Sequence, residues 1–195
     1  MRKARSSQSW DFKADLAEAA AQEVKDLGGK ASAFQVDVAD ETAVEKACAA
    51  VAEQHGSLDV MICAAGLLLD RGVPAVDYLV SDWNRLMDVN LLGTLLCARS
   101  AARRMLAGQG GSIVTVSSMN AFRAVPGCVA YNAAKAGVIS VTQTLAIELA
   151  KSNIRVNGVA PAQIETPMTA KYKTMPEQKK IRAAGIPMGT VRKGP

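Results

Sequence analysis

The sequence predicts an α/β fold built on a parallel, doubly wound sheet. Three observations carry this. Short β-type runs alternate with longer helical stretches along the chain, the pattern that winds helices around a parallel sheet. The segment Gly111-Ser-Ile-Val-Thr-Val-Ser-Ser118 reads as a buried strand ending in hydroxyls. The chain is 49% hydrophobic but only 4% aromatic, a balance that suits close helix-on-sheet packing.

The elements follow in order. Residues 1–10 form an atypical N-terminus, because Arg-Ser-Ser-Gln-Ser-Trp is a poor strand. Phe12 to Leu27 reads as a helix stopped by Gly28-Gly29. Ala31 to Val38 is a strand, and Glu41 to His55 an amphipathic helix with Asp40 as N-cap. Leu58 to Ala64 is a strand. Ser81 to Leu106 is a long helix ended by Gly108-Gln-Gly-Gly111. Strand 112–117, helix 131–150 and strand 154–160 complete the alternation, with a Pro126-Gly127 turn before the last helix. No internal repeat or second domain is evident.

At 195 residues the chain is expected to be one domain with a sizeable core. No run of 18 apolar residues points to a membrane span. The first ten residues carry charge without an apolar core, so a secretory leader is not expected and the cytosol is. Cys48, Cys63, Cys97 and Cys128 lack CxxC spacing and read as reduced, buried thiols. His55, the only histidine, lies on a polar helix end and reads as structural or solvated. That disfavours a Ser-His-Asp hydrolase and a His-rich metal site. Net charge is +5, with +3 on residues 1–5, +6 on residues 169–195 and −4 between. The basic 169–195 end is expected to be a mobile tail. No nucleic-acid-binding signature accompanies it.

The chemistry concentrates at Tyr131-Asn-Ala-Ala-Lys135, thirteen residues after Ser118. Tyrosine and lysine four apart share one helix face. A charged ammonium stabilises the phenolate and pulls its pKa down from about 10. The pair begins a helix near the carboxyl end of a strand, where open α/β sheets bind ligands. Ser118 can be brought there by a short loop to hold a carbonyl oxygen. Ser117 is its rival, and spacing with strand alternation favours Ser118. Asn90, inside an apolar helix, is a helix-kinking amide or part of the site.

At these residues the chain resembles the classical branch of the short-chain dehydrogenase/reductase family. The matching pieces are Asp37-Val38-Ala39-Asp40, Cys63-Ala64-Ala65-Gly66, Asn90 in Asp-Val-Asn-Leu-Leu-Gly-Thr, Ser118, Tyr131 with Lys135, Asn157, and Pro161 to Thr166. The resemblance implies a Rossmann-like three-layer α/β/α fold and NAD(P)-dependent interconversion of an alcohol and a carbonyl. It implies a tetrad of Asn90, Ser118, Tyr131 and Lys135, with Tyr131 as acid and base and Asn90 helping to hold a relay water. Lys135 would also hold the nicotinamide ribose. Cofactor contacts are implied at Asp37, Val38, Ala64, Ala65, Gly66, Pro161, Ala162, Ile164 and Thr166. Asp11 lies 26 residues before Asp37, where the family's second-strand acid would hold the adenosine ribose and favour NAD over NADP. It could equally cap the helix from Phe12. No metal is implied. Dimers or tetramers through helices 81–106 and 131–150 are.

The chain also departs from the family. Cys63-Ala64 stands where two asparagines are usual, and Ala162 where a glycine is usual, which matters if that site needs positive φ. No G-x-G-x-x-G occurs, and no glycine precedes Gly28. The sheet is therefore expected to be incomplete at both ends, and this polypeptide to bind NAD weakly or not at all. The alternative function is a catalytically impaired member serving as a structural or oligomerisation partner. The substrate is not legible. Met119 to Ala124, Cys128 and the loop from Ala162 to Tyr172 are its candidate walls, with Arg123 expected to be solvated.

Overall fold

The structure, a computed structural model, describes residues 6–69, 72–166, 168–169 and 192–193. The expected tail at 169–195 lies almost wholly outside the described residues.

The N-terminus departs from expectation. Ser6–Asp11 is a strand, β1, paired in parallel along its length with β2, Lys30–Gln35. Ser6 and Gln8 find side-chain partners at Ser32 and His55, so no apolar run is needed. Ser32 donates to Gln8, Gln8 Nε2 meets His55 Nε2 at 2.8 Å, and Trp10 packs on the core. Between the two strands runs α1, Ala14–Asp26, which starts later than predicted. Its N-cap is Lys13, without a capping side chain. Asp11 is therefore not the cap. It ends β1, and its Oδ1 accepts the Lys13 amide at 2.9 Å.

Helix α2, Glu41–His55, has the predicted bounds. Asp40 caps it by accepting the amides of Thr42 and Ala43, and Gly56 closes it at φ 78°. β2 stops at Gln35, so Asp37 and Val38 lie in the turn after it. β3 is Val60–Cys63, shorter than the expected strand.

The predicted helix 81–106 is three pieces. α3, Val80–Met87, passes into one π-helical turn, Asp88–Leu92, and then into α4, Gly93–Leu106. The cause is Asn90. Its Nδ2 donates to Leu86 O at 3.0 Å, competing with the backbone for the carbonyl one turn earlier, and the ladder widens to i+5.

β4, Gly111–Val116, α5, Val129–Leu149, and β5, Ile154–Val159, lie close to the expected spans. Two short strands, β6 (Ile164–Glu165) and β7 (Arg192–Lys193), pair in parallel.

Every strand pair is parallel, as expected, but the ladder is interrupted: β1–β2 and β3–β4–β5 form separate hydrogen-bonded sheets. One core unites them. Val36, Met61, Cys63, Ile113, Ile154 and Val156 meet buried residues of α2 and α4, with Leu145 and Leu149 of α5 at the margin. Burying side chains such as Ile113, Ile154 and Met105, each at 1% exposure or less, contributes about 1.5–3 kcal/mol apiece. The chain steps outward from β1 to β2, then back to β3 and on to β5. Right-handed crossovers therefore place α1 on one face and α2, α4 and α5 on the other, which is double winding. α1 buries Ala17 and Ala21 on its own face of β1 and β2. Opposite the shared core, Val60 and Ile62 of β3 are 57% and 62% exposed.

All four cysteines are buried and outside any disulfide, as expected. Burial raises Cys48 and Cys63 and pushes Cys97 up to about 12. Among the described residues no helix is long and apolar enough to cross a membrane.

Candidate active site

The site grows from the seam between β4 and α5. Ser117 Oγ donates to Lys135 O at 2.7 Å, and Lys135 Nζ donates to Val116 O at 2.8 Å. Farther along, the Thr115 and Thr142 hydroxyls meet at 2.7 Å inside the seam. These bonds hold the helix on the strand end and set which serine can act. Ser117 is committed to the helix backbone. Ser118 is extended, at φ −159°, and its Oγ accepts the Asn120 amide at 3.2 Å while its own proton remains available to donate.

Tyr131 sits in the first turn of α5 and Lys135 one turn later. The Lys135 Nζ lies 5.7 Å from the centre of the Tyr131 ring. Lys135 is 4% exposed, and burial lowers its pKa from 10.5 to about 8. At neutral pH it still carries its charge, but with little in reserve.

Asn90 is fully buried. Its Oδ1 accepts the Leu67 amide at 3.0 Å, and its Nδ2 donates to Leu67 O at 2.9 Å and Leu86 O at 3.0 Å. Thr94 Oγ1 donates to its carbonyl at 2.9 Å. The carboxamide thus ties the loop after β3 to the π turn, leaving it no donor to spend on a substrate. A Cβ on Gly66 would come within 3.0 Å of Asn90 Oδ1 and 3.7 Å of Lys135 Nζ. Glycine lets that backbone pass beside them without pushing the Asn90 carboxamide aside.

The expected cofactor positions fall on successive strand ends. Asp11 ends β1. Asp37, with Oδ1 accepting the Ala39 amide at 2.9 Å, and Val38 lie in the turn after β2. Ala64, Ala65 and Gly66 are exposed just beyond β3. Val38 packs on the helix, because a Cβ at Gly93 would lie 2.8 Å from its Cγ2. Pro161 O accepts the Met119 amide at 3.0 Å, so the loop after β5 is anchored to the Ser118 turn. Ala162 is exposed, and since Asn153 is the one non-glycine at positive φ among the described residues, the alanine is unstrained there. Ile164 is in β6, and the Thr166 amide donates to Thr169 Oγ1 at 2.9 Å. Arg123 is exposed. The expected substrate walls at residues 167 and 170–172 lie outside the described residues.

Exposed glycine backbone, strand ends in a row and a buried ammonium fit a dinucleotide's adenosine and nicotinamide halves. The pyrophosphate is served less well. Among the described residues no glycine-rich turn opens a helix N-terminus beside Asp11.

Sequence reasoning placed Asn120 only within the candidate substrate wall and missed Asn132 and Gly72. Asn132 adjoins Tyr131, the one available signal. The approach of Gly72 to Gly127 has no sequence signature.

Comparison with known proteins agrees with this architecture. The sequence profile of the short chain dehydrogenase family matches residues 6–177. The 3-oxoacyl-(acyl-carrier-protein) reductase FabG of Thermotoga maritima is 38% identical over 169 residues, covering 86% of this chain and 67% of that protein. The D-threitol dehydrogenase of Mycolicibacterium smegmatis is 36% identical over 161 residues, covering 83% and 61%. The crystal structure of gox2181 superposes with a TM-score of 0.90 at 33% identity, covering 95% of this chain and 73% of that one. That of NAD+-bound xylitol dehydrogenase gives 0.91 at 25%, covering 96% and 77%. The chain therefore belongs to the short chain dehydrogenase family, whose members use NAD(P) for oxidoreduction. It spans about two thirds or less of the length of the curated relatives it matches.

Proposed function

We propose that this chain interconverts an alcohol and a carbonyl with a nicotinamide dinucleotide. The observation that carries the proposal is the buried Lys135 ammonium, one turn from Tyr131 and bonded to the end of β4. Tyr131 is the acid in reduction and the base in oxidation. Lys135 sets its charge beside the Tyr131 ring, where it stabilises the phenolate, and holds the nicotinamide ribose. Ser118 donates to the substrate oxygen and steadies its developing charge. A nicotinamide dinucleotide held there would supply or receive the hydride. Asn90 acts by fixing the Leu67 loop, and its place in the tetrad is that of an organiser. Asp11, Asp37, Val38, Ala64, Ala65, Gly66, Pro161, Ala162, Ile164 and Thr166 line the dinucleotide's path. The Asp11 carboxylate favours a free ribose 2′-hydroxyl and so NAD over NADP.

The substrate is a small alcohol or ketone. The chain acts as one domain, in the cytosol, and as a dimer or tetramer through the α3–α4 and α5 helices. A second reading, a non-catalytic partner, is favoured by the exposed Val60 and Ile62 and by the lack of a described phosphate cradle.

NADH oxidation over a panel of small ketones separates the readings. Turnover that falls about 10²–10⁴-fold in Tyr131→Phe supports catalysis. A folded oligomer with no turnover in either protein supports the partner.

A further inference from the structure

Asn132 follows Tyr131 in the first turn of α5, and its carboxamide works on both sides. Its Oδ1 accepts from Asn120 Nδ2 at 3.2 Å, and its Nδ2 donates to Val125 O at 2.9 Å. Asn120 is 7% exposed, and its amide donates to Ser118 Oγ. One side chain thus grips the loop from Ser118 to Cys128 near both ends, and the bonds run unbroken from the Ser118 hydroxyl to the turn that carries Tyr131. A second tie meets the same loop, where the Gly72 amide donates to Gly127 O at 3.3 Å.

We propose that Asn132 is a positioning residue that, through Asn120, holds the Ser118 hydroxyl in register with Tyr131. The inference rests on the roles given above to Ser118 and Tyr131. Only a carboxamide serves at position 132. Aspartate loses the donor to Val125 O, and leucine loses both bonds. Neither residue touches the reacting atoms, so the effect must pass through Ser118.

The test is near-ultraviolet titration of the Tyr131 phenol, isolated from the other two tyrosines by difference against Tyr131→Phe. A serine donor stabilises the phenolate, so Ser118→Ala should raise the phenol pKa by about half a unit or more. Asn132→Leu should raise it equally, and the double variant no further. Where Asn132→Leu does not fold, Asn120→Ala cuts the same link from the other side. An unchanged titration in Asn132→Leu or Asn120→Ala, or a shift that adds to that of Ser118→Ala, overturns the inference. Turnover is read separately. A shared shift in a protein without turnover removes the hydride chemistry but leaves the positioning, whereas turnover without a shared shift removes the positioning alone.

Discussion

Lys135 ties the site to the stability of the fold, and Lys135→Met makes the tie measurable. Methionine keeps an unbranched side chain and removes the buried charge. In the fold the ammonium titrates near 8, against 10.5 for the exposed group. The native state therefore binds fewer protons than the unfolded chain between those values, and stability contributed by this group rises with pH. Below pH 8 both states are charged and the burial penalty is complete, about 3 kcal/mol at about 1.4 kcal/mol per unit. The penalty is relieved as pH rises from 8 toward 10.5. Between pH 6.5 and 9.5 the relief comes to about 2 kcal/mol by linkage. Urea unfolding of wild type and Lys135→Met across that window, at constant ionic strength, reads it directly. Wild type should gain on the variant by about 2 kcal/mol, or about 1 M in urea midpoint at an ordinary slope. Titrating groups remote from Lys135 cancel in the difference, and carrying Tyr131→Phe in both proteins removes the one phenol that the ammonium touches. A difference that stays flat with pH, or moves the other way, would refute the claim that burial depresses this amine.

Gly127→Ala tests the loop contact: φ is 71°, and a Cβ would lie 2.4 Å from Gly72 N, so the two loops must part. A loss of about 1–3 kcal/mol in thermal or urea unfolding is expected, and a neutral effect would show that the loops do not touch. Asn90→Ala removes three side-chain hydrogen bonds and leaves the Leu67 amide and carbonyl to find other partners. About 2–4 kcal/mol should be lost, with faster amide exchange at Leu67. Ser117→Ala should lower stability by about 1 kcal/mol, through the bond to Lys135 O, and leave more turnover than Ser118→Ala, which removes the donor to the substrate oxygen.

The alternation of strands and helices was legible because burial leaves period-two and period-3.6 patterns, and α2 was legible to the residue because Asp40 and Gly56 are local start and stop chemistry. Tyr131, Lys135 and Ser118 were legible through spacing on one helix and one strand end. β1 was not. Its polar side chains are satisfied by Ser32 and His55, partners 24 to 49 residues away, which no local pattern announces. The π turn was half legible: Asn90 read as a helix-kinking amide, and its bond to Leu86 O is local, but its ties to Leu67 across the site leave no mark in the neighbouring sequence. The sequence by itself determined the reacting types and the order in which the elements present them. Only the tertiary structure decided which hydroxyl and which amide were already engaged. Ser117 and Asn90 spend their side-chain hydrogen bonds on backbone, and Asn132 spends its own on Val125 O and the Asn120 side chain, engagements set chiefly by how the elements are brought together.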